Sequence, residues 1–161
     1  MFVGIRSIAV KFLLNKASEA EIAEHLLNCD TDFVPPLSER VDVADYAKKI
    51  AQKALRIEAW SGRTLVGIVA VYCNDQATCI AYITSVSVLK DWTGEGVATQ
   101  LLDQCVRHVQ EMGMQQIRLE VTSENLPAIK LYEKRGFSVE NVNELVVSMR
   151  LLIESGEKHD Q

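Results

Sequence analysis

The stretch Val88-Leu89-Lys90-Asp91-Trp92-Thr93-Gly94-Glu95-Gly96-Val97-Ala98 decides the fold, because a β-rich run ends there and a helical pattern begins. Gly94 and Gly96 lack a Cβ and can adopt positive φ, so a bulky anion can approach the backbone N–H groups of this loop. The helix that follows leaves its first N–H groups unpaired and places the positive end of its dipole there. The loop is therefore a predicted site for a di-anion such as pyrophosphate. Two glycines alone also suit a plain structural turn.

Three β-rich runs lead up to this loop and predict an antiparallel meander. Residues 55–61 and 64–72 are joined by Ser61-Gly62-Arg63, which is a short hairpin signal. The third run, 78–88, follows the turn residues Asn74-Asp75-Gln76 and delivers the chain to the glycines.

The remainder of the chain predicts one strand near its start, four helices and three later strands. The strands are expected over 7–14, 116–121, 137–142 and 145–152, and the helices over 19–29, 43–54, 97–112 and 125–135. A strand that is reached through a helical crossover lies parallel to the strand before it. We therefore expect 78–88 and 116–121 to form a parallel pair.

The composition is that of an ordinary globular protein. The chain has 161 residues, of which 48% are hydrophobic and 24% charged, which are near the averages for folded domains. We expect a single domain over 1–153, followed by a polar tail over 154–161. The longest uncharged apolar run, 65–73, is about half the length that a membrane-spanning helix needs. Because the chain start also lacks a signal-peptide pattern, we expect a cytoplasmic protein that does not bind a membrane.

Charge and metal-ligand residues argue against two classes of site. The net charge of −5 offers no basic footprint for nucleic acid. The four cysteines and three histidines are scattered, without the spacing of zinc ligands, so no metal site is expected. In a reducing compartment the cysteines, including Cys73 and Cys79 on either side of a predicted turn, should remain thiols.

A second motif follows the glycine loop, Asn125-Leu126-Pro127-Ala128-Ile129-Lys130-Leu131-Tyr132-Glu133-Lys134-Arg135-Gly136-Phe137. The two stretches together resemble the general N-acetyltransferase (GNAT) superfamily. Its first motif runs Val-x-Pro-x-x-Arg/Gln-Gly-x-Gly-x-Gly/Ala, and its second runs Asn-x-x-Ala-x-x-Leu-Tyr-x-Lys-x-Gly-Phe. The second motif is matched at every position, whereas Lys90 and Thr93 replace the usual Pro and Arg/Gln of the first. The resemblance covers about residues 64 to 150.

The resemblance implies both a fold and an activity. The fold is α/β (α+β), a mixed and mostly antiparallel central sheet of six to seven strands with a splayed parallel pair, flanked by about four helices. Acetyl-CoA is implied as cosubstrate, and the activity is N-acetyl transfer to a primary amine of a small molecule by direct attack. The irregular segment 28–39, between the first two helices, is expected to line the acceptor side.

The resemblance also assigns residues to the cofactor. Backbone groups of the loop would hold the pyrophosphate, and those of the preceding strand would hold the pantetheine arm. The predicted cofactor-binding residues are Val86, Val88, Thr93, Gly94, Glu95, Gly96, Val97, Ala98, Asn125 and Tyr132. Thr93 lacks the guanidinium that usually helps to hold the phosphates, and Lys90 is a substitute charge. Lys130, Lys134 and Arg135 either meet a 3′-phosphate or form a solvated helix face.

Two residues are the predicted catalytic groups. Tyr132 occupies the position whose phenol protonates the leaving thiolate in the family, although a tyrosine packed on a helix face is the alternative for such a residue. Glu120 is the predicted general base, since it follows the strand beside the expected cleft. Glu58, Tyr82, Thr84 and Ser85 are also in reach of a relay through water, and an ordinary solvated strand residue is the alternative for both carboxylates.

Other functions remain open at this point. A CoA-binding module of the same fold with little activity would explain the missing Arg/Gln, and a protein or peptide N-terminus is another acceptor. A nucleotide-binding or purely structural loop is disfavoured because no Gly-Lys-Ser/Thr follows the glycines. Pairing through an exposed strand edge would make a homodimer, so the expected state is monomer or homodimer.

Overall fold

The computed structural model describes residues 10–153. Within them the chain forms seven strands and four α-helices, numbered here in chain order. The strands are β1 (Val10–Leu14), β2 (Leu55–Ser61), β3 (Thr64–Tyr72), β4 (Ile80–Val88), β5 (Gln116–Thr122), β6 (Ser138–Val142) and β7 (Val146–Leu152). The helices are α1 (Glu19–Asn28), α2 (Val43–Lys53), α3 (Val97–Glu111) and α4 (Leu126–Lys134).

All seven described strands form one sheet in the order β1-β2-β3-β4-β5-β7-β6. Neighbouring strands are antiparallel except β4 and β5, which are parallel because α3 carries the chain back along the sheet between them. The predicted fold class is therefore confirmed, with seven strands, one parallel pair among them and four helices.

Most predicted boundaries lie within two residues of the observed ones. The strand expected over 78–88 begins only at Ile80, because Gln76–Cys79 form a turn in which the Asp75 carboxylate accepts a hydrogen bond from the Thr78 N–H at 3.1 Å. The strand expected over 7–14 is described from Val10 onwards. Residues 7–9 and the predicted tail over 154–161 lie outside the described residues.

Helices cover the sheet on both faces and enclose two apolar cores. One core, between the sheet and helices α3 and α4, contains Leu101, Ile117 and Met149, and the other, beneath α1 and α2, contains Ile22 and Ile50. Each of these side chains is fully buried, and such burial contributes about 1.5–3 kcal/mol per side chain. Across residues 10–153, every helix is too short or too polar to cross a bilayer.

The parallel strands separate after a short paired region. Strand β4 pairs with β5 only from Ile80 to Tyr82, opposite residues 116–118. Beyond that point β4 continues to pair with β3, and β5 continues to pair with β7. The second half of β4 and the end of β5 therefore face each other across an open gap in the sheet.

A β-bulge at Thr84 changes which side chains of β4 lie on each face of the sheet. The pairing of β3 with β4 shifts between Ala70 and Val71, so that Thr84 has no partner residue. The Tyr46 hydroxyl, from α2, donates to the Thr84 carbonyl oxygen at 2.6 Å and lies 2.7 Å from its hydroxyl. The bulge is thus anchored from the α1/α2 side of the sheet.

The bulge also reverses the alternation of side chains along β4. Ile83 belongs to the core beneath α3, and beyond the bulge Val86 packs against the same core. Ser85 and Ser87 consequently face the α1/α2 side, where the Ser87 hydroxyl reaches His25 of α1. A strict period of two along the sequence would have placed these serines on the opposite face.

Candidate active site

A cavity of about 240 Å³ lies in the gap between β4 and β5. It brings together five of the residues predicted for the site, from three separate elements. These are Val86 and Val88 of β4, Glu120 of β5, and Asn125 and Tyr132 at and in α4. Cys29, Asp32, Phe33 and Val34 also line it, so part of segment 28–39 borders the cavity, and its role on the acceptor side stays a prediction.

A second cavity of about 220 Å³ is lined by the glycine loop, including Thr93, Gly94, Gly96, Val97 and Ala98. Val88 lines both cavities, which places the loop at one end of the gap. Glu95 lies in the same loop but is not among the lining residues of either cavity.

The loop leaves the start of α3 open to an anion. Gly94 and Gly96 have φ of 80° and 82°, a region that favours glycine. Gly96 is the N-cap residue of α3 and no side chain caps the helix there, so the first N–H groups of α3 need another acceptor. A Cβ built on either glycine would meet nothing within 4 Å. This geometry fits the phosphate groups of a nucleotide cofactor.

Thr93 contributes less to this site than its position suggests. Its N–H donates to the Lys90 carbonyl oxygen at 3.2 Å, and its hydroxyl donates to the same oxygen at 2.7 Å. Both donors are therefore satisfied by the 3₁₀ turn Lys90–Trp92 that precedes Thr93, and the side chain carries no charge. Arg135, a candidate for a 3′-phosphate, pairs instead with both carboxylate oxygens of Asp103 at 3.1 Å.

Tyr132 lies at the wall of the cavity with its ring packed edge-on against Phe137, at 5.9 Å between ring centroids. Its side chain is 8% exposed, and burial raises the pKa of its phenol to about 12. No described residue hydrogen-bonds to its hydroxyl. The phenol is therefore protonated throughout the neutral range.

Asn125 is the N-cap residue of α4, as the sequence predicted. Its side-chain oxygen accepts a hydrogen bond from the Ala128 N–H at 3.3 Å, which satisfies one of the orphan donors of the helix. Because Asn125 also lines the cavity, the cap and the start of α4 lie at the mouth of the gap.

Among the candidate bases, Glu120 is exposed and lines the cavity. Glu58 does not line it: this residue is 0% exposed and lies on the α1/α2 side. Its interpretation as a solvated residue is therefore wrong, whereas its assignment as a base stays a prediction. Tyr82 lines an open groove on the sheet instead of this cavity. The Ser85 hydroxyl lines the cavity, is buried and has no hydrogen-bond partner in the described part of the chain.

Two residues near the cavity were not singled out by the sequence. The Ser87 hydroxyl donates to Nε2 of His25 at 2.9 Å, and Nδ1 of His25 donates to the Leu65 carbonyl oxygen at 3.0 Å. Burial lowers the pKa of His25, so the ring is neutral at pH 7. The only available signal was that His25 falls on the apolar face of α1 together with Ile22 and Leu26.

The cysteines contribute no nucleophile or metal ligand among the described residues. All four are free thiols. Cys29 lies beside His25, with its sulfur 3.7 Å from Nε2, but burial raises the pKa of its thiol to about 12. No group of three or more His, Cys, Asp and Glu residues within 10–153 is arranged to hold a metal ion.

The sequence is similar to parts of several known acetyltransferases. N-alpha-acetyltransferase 30 of Schizosaccharomyces pombe is 32% identical over 72 residues, which are 42% of this chain and 48% of that protein. Mycothiol acetyltransferase of Propionibacterium freudenreichii is 41% identical over 49 residues, which are 30% of this chain and 16% of that protein. The chain thus spans less than half the length of these curated relatives.

The fold has solved counterparts. One is yncA from Salmonella typhimurium, solved with its cofactor acetyl-CoA, which superposes with a TM-score of 0.72 at 17% identity and covers 91% of this chain and 95% of that chain. The model of the acetyltransferase (GNAT) family matches residues 19–137, a range that includes both motifs and the cavity between β4 and β5. The chain belongs to the acetyltransferase (GNAT) family.

Proposed function

We propose that this protein is an N-acetyltransferase that takes an acetyl group from acetyl-CoA and transfers it to a primary amine of a small molecule. The observation that carries the proposal is the open gap between β4 and β5, which ends at the uncapped start of α3. A strand edge with unpaired peptide groups and a helix N-terminus together suit a cofactor with an amide-containing arm and a pyrophosphate.

The backbone of β4 has the direction that this cofactor needs. The Leu89 N–H donates to the Val66 carbonyl oxygen of β3 at 2.8 Å. Because peptide groups alternate in direction along a strand, Val86 and Val88 direct theirs into the gap. These groups would hold the pantetheine amides, and the N–H groups that follow Gly96 would hold the pyrophosphate. Acetyl-CoA supplies the acetyl group as an activated thioester.

The chemistry then needs three contributions from the chain. Backbone N–H groups of β4 stabilise negative charge on the carbonyl oxygen as it develops. Tyr132 keeps a proton at the cavity wall for the departing sulfur. Glu120, at the open side of the cavity, accepts protons from the amine through water. The prediction of a cytoplasmic monomer or homodimer that binds neither nucleic acid nor membrane belongs to this proposal.

The size and lining of the cavity favour a small acceptor. At about 240 Å³ the cavity is below the range of about 300–1,000 Å³ for drug-sized ligands. Its acceptor side carries hydroxyls and the charged residues Asp32, Arg40 and Glu120. A small polar amine, such as an amino acid or an amino sugar, matches these features.

The second candidate acceptor is the N-terminal amine of a protein or peptide. It is favoured by the likeness to N-alpha-acetyltransferase 30, and the terminal residue of a peptide would also fit a cavity of this size. A CoA-binding module without activity is the third possibility, because Thr93 brings neither a charge nor a free donor.

A thiol-release assay with acetyl-CoA and a panel of amines tests the proposal directly. The panel contains amino acids, amino sugars, polyamines, aminoglycosides and peptides that differ at their first residue, and mass spectrometry identifies the acetylated product. We expect transfer to a small amine with low activity on peptides. Transfer to peptides alone would show that the acceptor is a protein or peptide N-terminus and not a small amine. If calorimetry showed that acetyl-CoA binds but no amine were acetylated, the protein would be a CoA-binding module without activity.

Introducing a cation at position 93 is expected to tighten cofactor binding. In Thr93→Arg a guanidinium replaces a hydroxyl that is already bonded to Lys90, and a charge-assisted contact to phosphate should lower the Kd for acetyl-CoA about tenfold. Calorimetry at two salt concentrations measures the effect, which should shrink at high salt. Thr93→Val, the isosteric control, should leave the Kd unchanged; equal affinities for all three proteins would place the phosphates elsewhere.

A further inference from the structure

His25 lies between the cavity of the proposed active site and a small space enclosed by α1 and the start of β3. On one side it touches Ser87 and Cys29, which line the larger cavity. On the other side it lines a space of about 80 Å³ together with Leu65 and the carboxylate residue Glu24. Its own side chain is 2% exposed.

The hydrogen bonds of His25 determine its tautomer. A carbonyl oxygen can only accept, so Nδ1, at 3.0 Å from the Leu65 oxygen, carries the proton. Nε2 therefore has the lone pair and accepts from the Ser87 hydroxyl at 2.9 Å. A hydroxyl bonded to a base that is itself held by a third group is the arrangement that activates an oxygen as a proton acceptor.

We propose that His25, acting through Ser87, removes the first proton from the ammonium form of the acceptor. This role rests on the proposed function. His25 is thus a positioning residue and a proton store, whereas Ser87 is the group that meets the amine. In this refinement of the proposed function Ser87 takes the first proton from the amine, and Glu120, on the opposite strand, is not required for this step.

An acceptor that enters as an ammonium loses two protons when it becomes an amide. The Ser87 oxygen takes the first while its own proton moves to Nε2, which forms an imidazolium and leaves a neutral amine. The second proton passes to the departing sulfur through Tyr132. After product release, Nε2 returns its proton to Ser87, which gives one to water, and the Nδ1 hydrogen bond to Leu65 is never broken.

The surroundings of His25 allow a transient imidazolium. Titratable and charged groups face it from its own helix and from the turn before β3, and Thr64 and Ser87 add hydroxyls from β3 and β4. The charged and titratable groups are Glu21, Glu24, Cys29 and Arg63. Burial lowers the pKa of His25, so that the ring releases its proton again, while the hydrogen bonds to Leu65 and Ser87 act in the opposite direction and favour the imidazolium.

The test compares His25→Gln, Ser87→Ala and the control Ile22→Val, using the acceptor found in the amine panel. Ile22 lies on the same buried face of α1 but lines none of the cavities that His25 connects. Both relay variants should lower kcat about 100-fold near neutral pH with unchanged affinity for acetyl-CoA. Their deficit should shrink as the pH approaches the pKa of the amine, because the acceptor then arrives neutral.

A structural role for His25 would give a different result. A distorted site lowers kcat by the same factor at every pH, and that outcome would overturn the proposal, as would unchanged kcat in His25→Gln. In His25→Ala, added imidazole should restore activity through the space left by the ring, and it should not affect Ser87→Ala. No acetyl transfer by the wild-type protein would overturn the proposed function and the relay together, whereas the other outcomes concern the relay alone.

Discussion

Replacing Tyr132 with Phe is expected to lower kcat by about 100-fold to 10,000-fold, the usual contribution of a positioned acid. Affinity for acetyl-CoA should stay within about twofold, because the phenol is one contact among the many backbone contacts proposed for the cofactor. Stability should also be nearly unchanged, since no described residue hydrogen-bonds to the Tyr132 hydroxyl. Steady-state kinetics and calorimetry on the same preparation separate these effects.

The raised pKa of Tyr132 limits how the phenol acts. Burial raises the pKa to about 12, whereas a thiol has a pKa of about 8.5. Leaving a phenolate behind would therefore be unfavourable. The hydroxyl must regain a proton from the amine as it gives one to the sulfur, so it transfers a proton without being consumed. Since the phenol stays protonated, loss of activity between pH 8 and 10 should not arise from Tyr132.

Tyr72→Phe is the matched control. The Tyr72 hydroxyl is also buried, and Tyr72 lines an open groove on the sheet and not the cavity between β4 and β5. Its removal should leave kcat unchanged. If Tyr132→Phe also retained full kcat, the assignment of the phenol as proton donor would be wrong and water would have to protonate the sulfur.

Replacing Glu58 with Gln is expected to lower the free energy of unfolding by about 3–5 kcal/mol, the cost of removing one partner of a buried ion pair. Glu58 and Arg56 are 0% and 7% exposed, and the Arg56 Nε donates to the Glu58 carboxylate at 3.2 Å. The amide would leave the guanidinium without a neutralising charge in the interior. Urea unfolding followed by circular dichroism measures the loss.

Glu58 joins several elements of the α1/α2 layer. Its carboxylate accepts from the backbone N–H groups of Lys16 and Ala17, just before α1, and from the Trp60 indole at 2.9 Å. The Arg56 guanidinium donates in turn to the carbonyl oxygen of Ala51, near the end of α2. The Arg56–Glu58 pair thus fixes β2 relative to both helices, and the segment between these helices contributes Asp32, Phe33 and Val34 to the lining of the cavity.

Glu140→Gln is the control for loss of charge alone. Glu140 pairs with Arg118 at 3.0 Å, and both side chains are partly open to solvent, so the expected change is below about 1 kcal/mol. If Glu58→Gln lowered the free energy of unfolding by no more than Glu140→Gln does, the buried carboxylate would contribute no more to stability than the exposed one. Acetyl transfer that survives in folded Glu58→Gln would also show that Glu58 has no part in catalysis.

The glycine turn and the helix cap of the candidate site could be predicted from the sequence because their determinants are local. Gly94 and Gly96 are needed where the chain turns at positive φ into α3, and Asn125 caps the helix whose motif it begins. Such features depend on residues only a few positions apart, and the chain order then brings the two motifs to the same parallel pair. The opposite wall of the cavity, which includes Cys29 and Ser87, involves contacts between residues distant in sequence, and there the sequence predictions missed His25 and Ser87.

The sequence by itself determined the order and type of the elements, the parallel pair and the glycine turn, because hydrophobic period, capping residues and positive φ act over short distances. Three features were decided only by the tertiary structure. The bulge at Thr84 turns Ser87 towards His25, and Glu58 is buried in an ion pair with Arg56. Thr93 donates both of its hydrogen bonds to the Lys90 carbonyl oxygen. The position of a bulge and the burial of a charge depend on which strand or helix packs against the residue. Those neighbours are distant in sequence, so local sequence patterns do not reveal them.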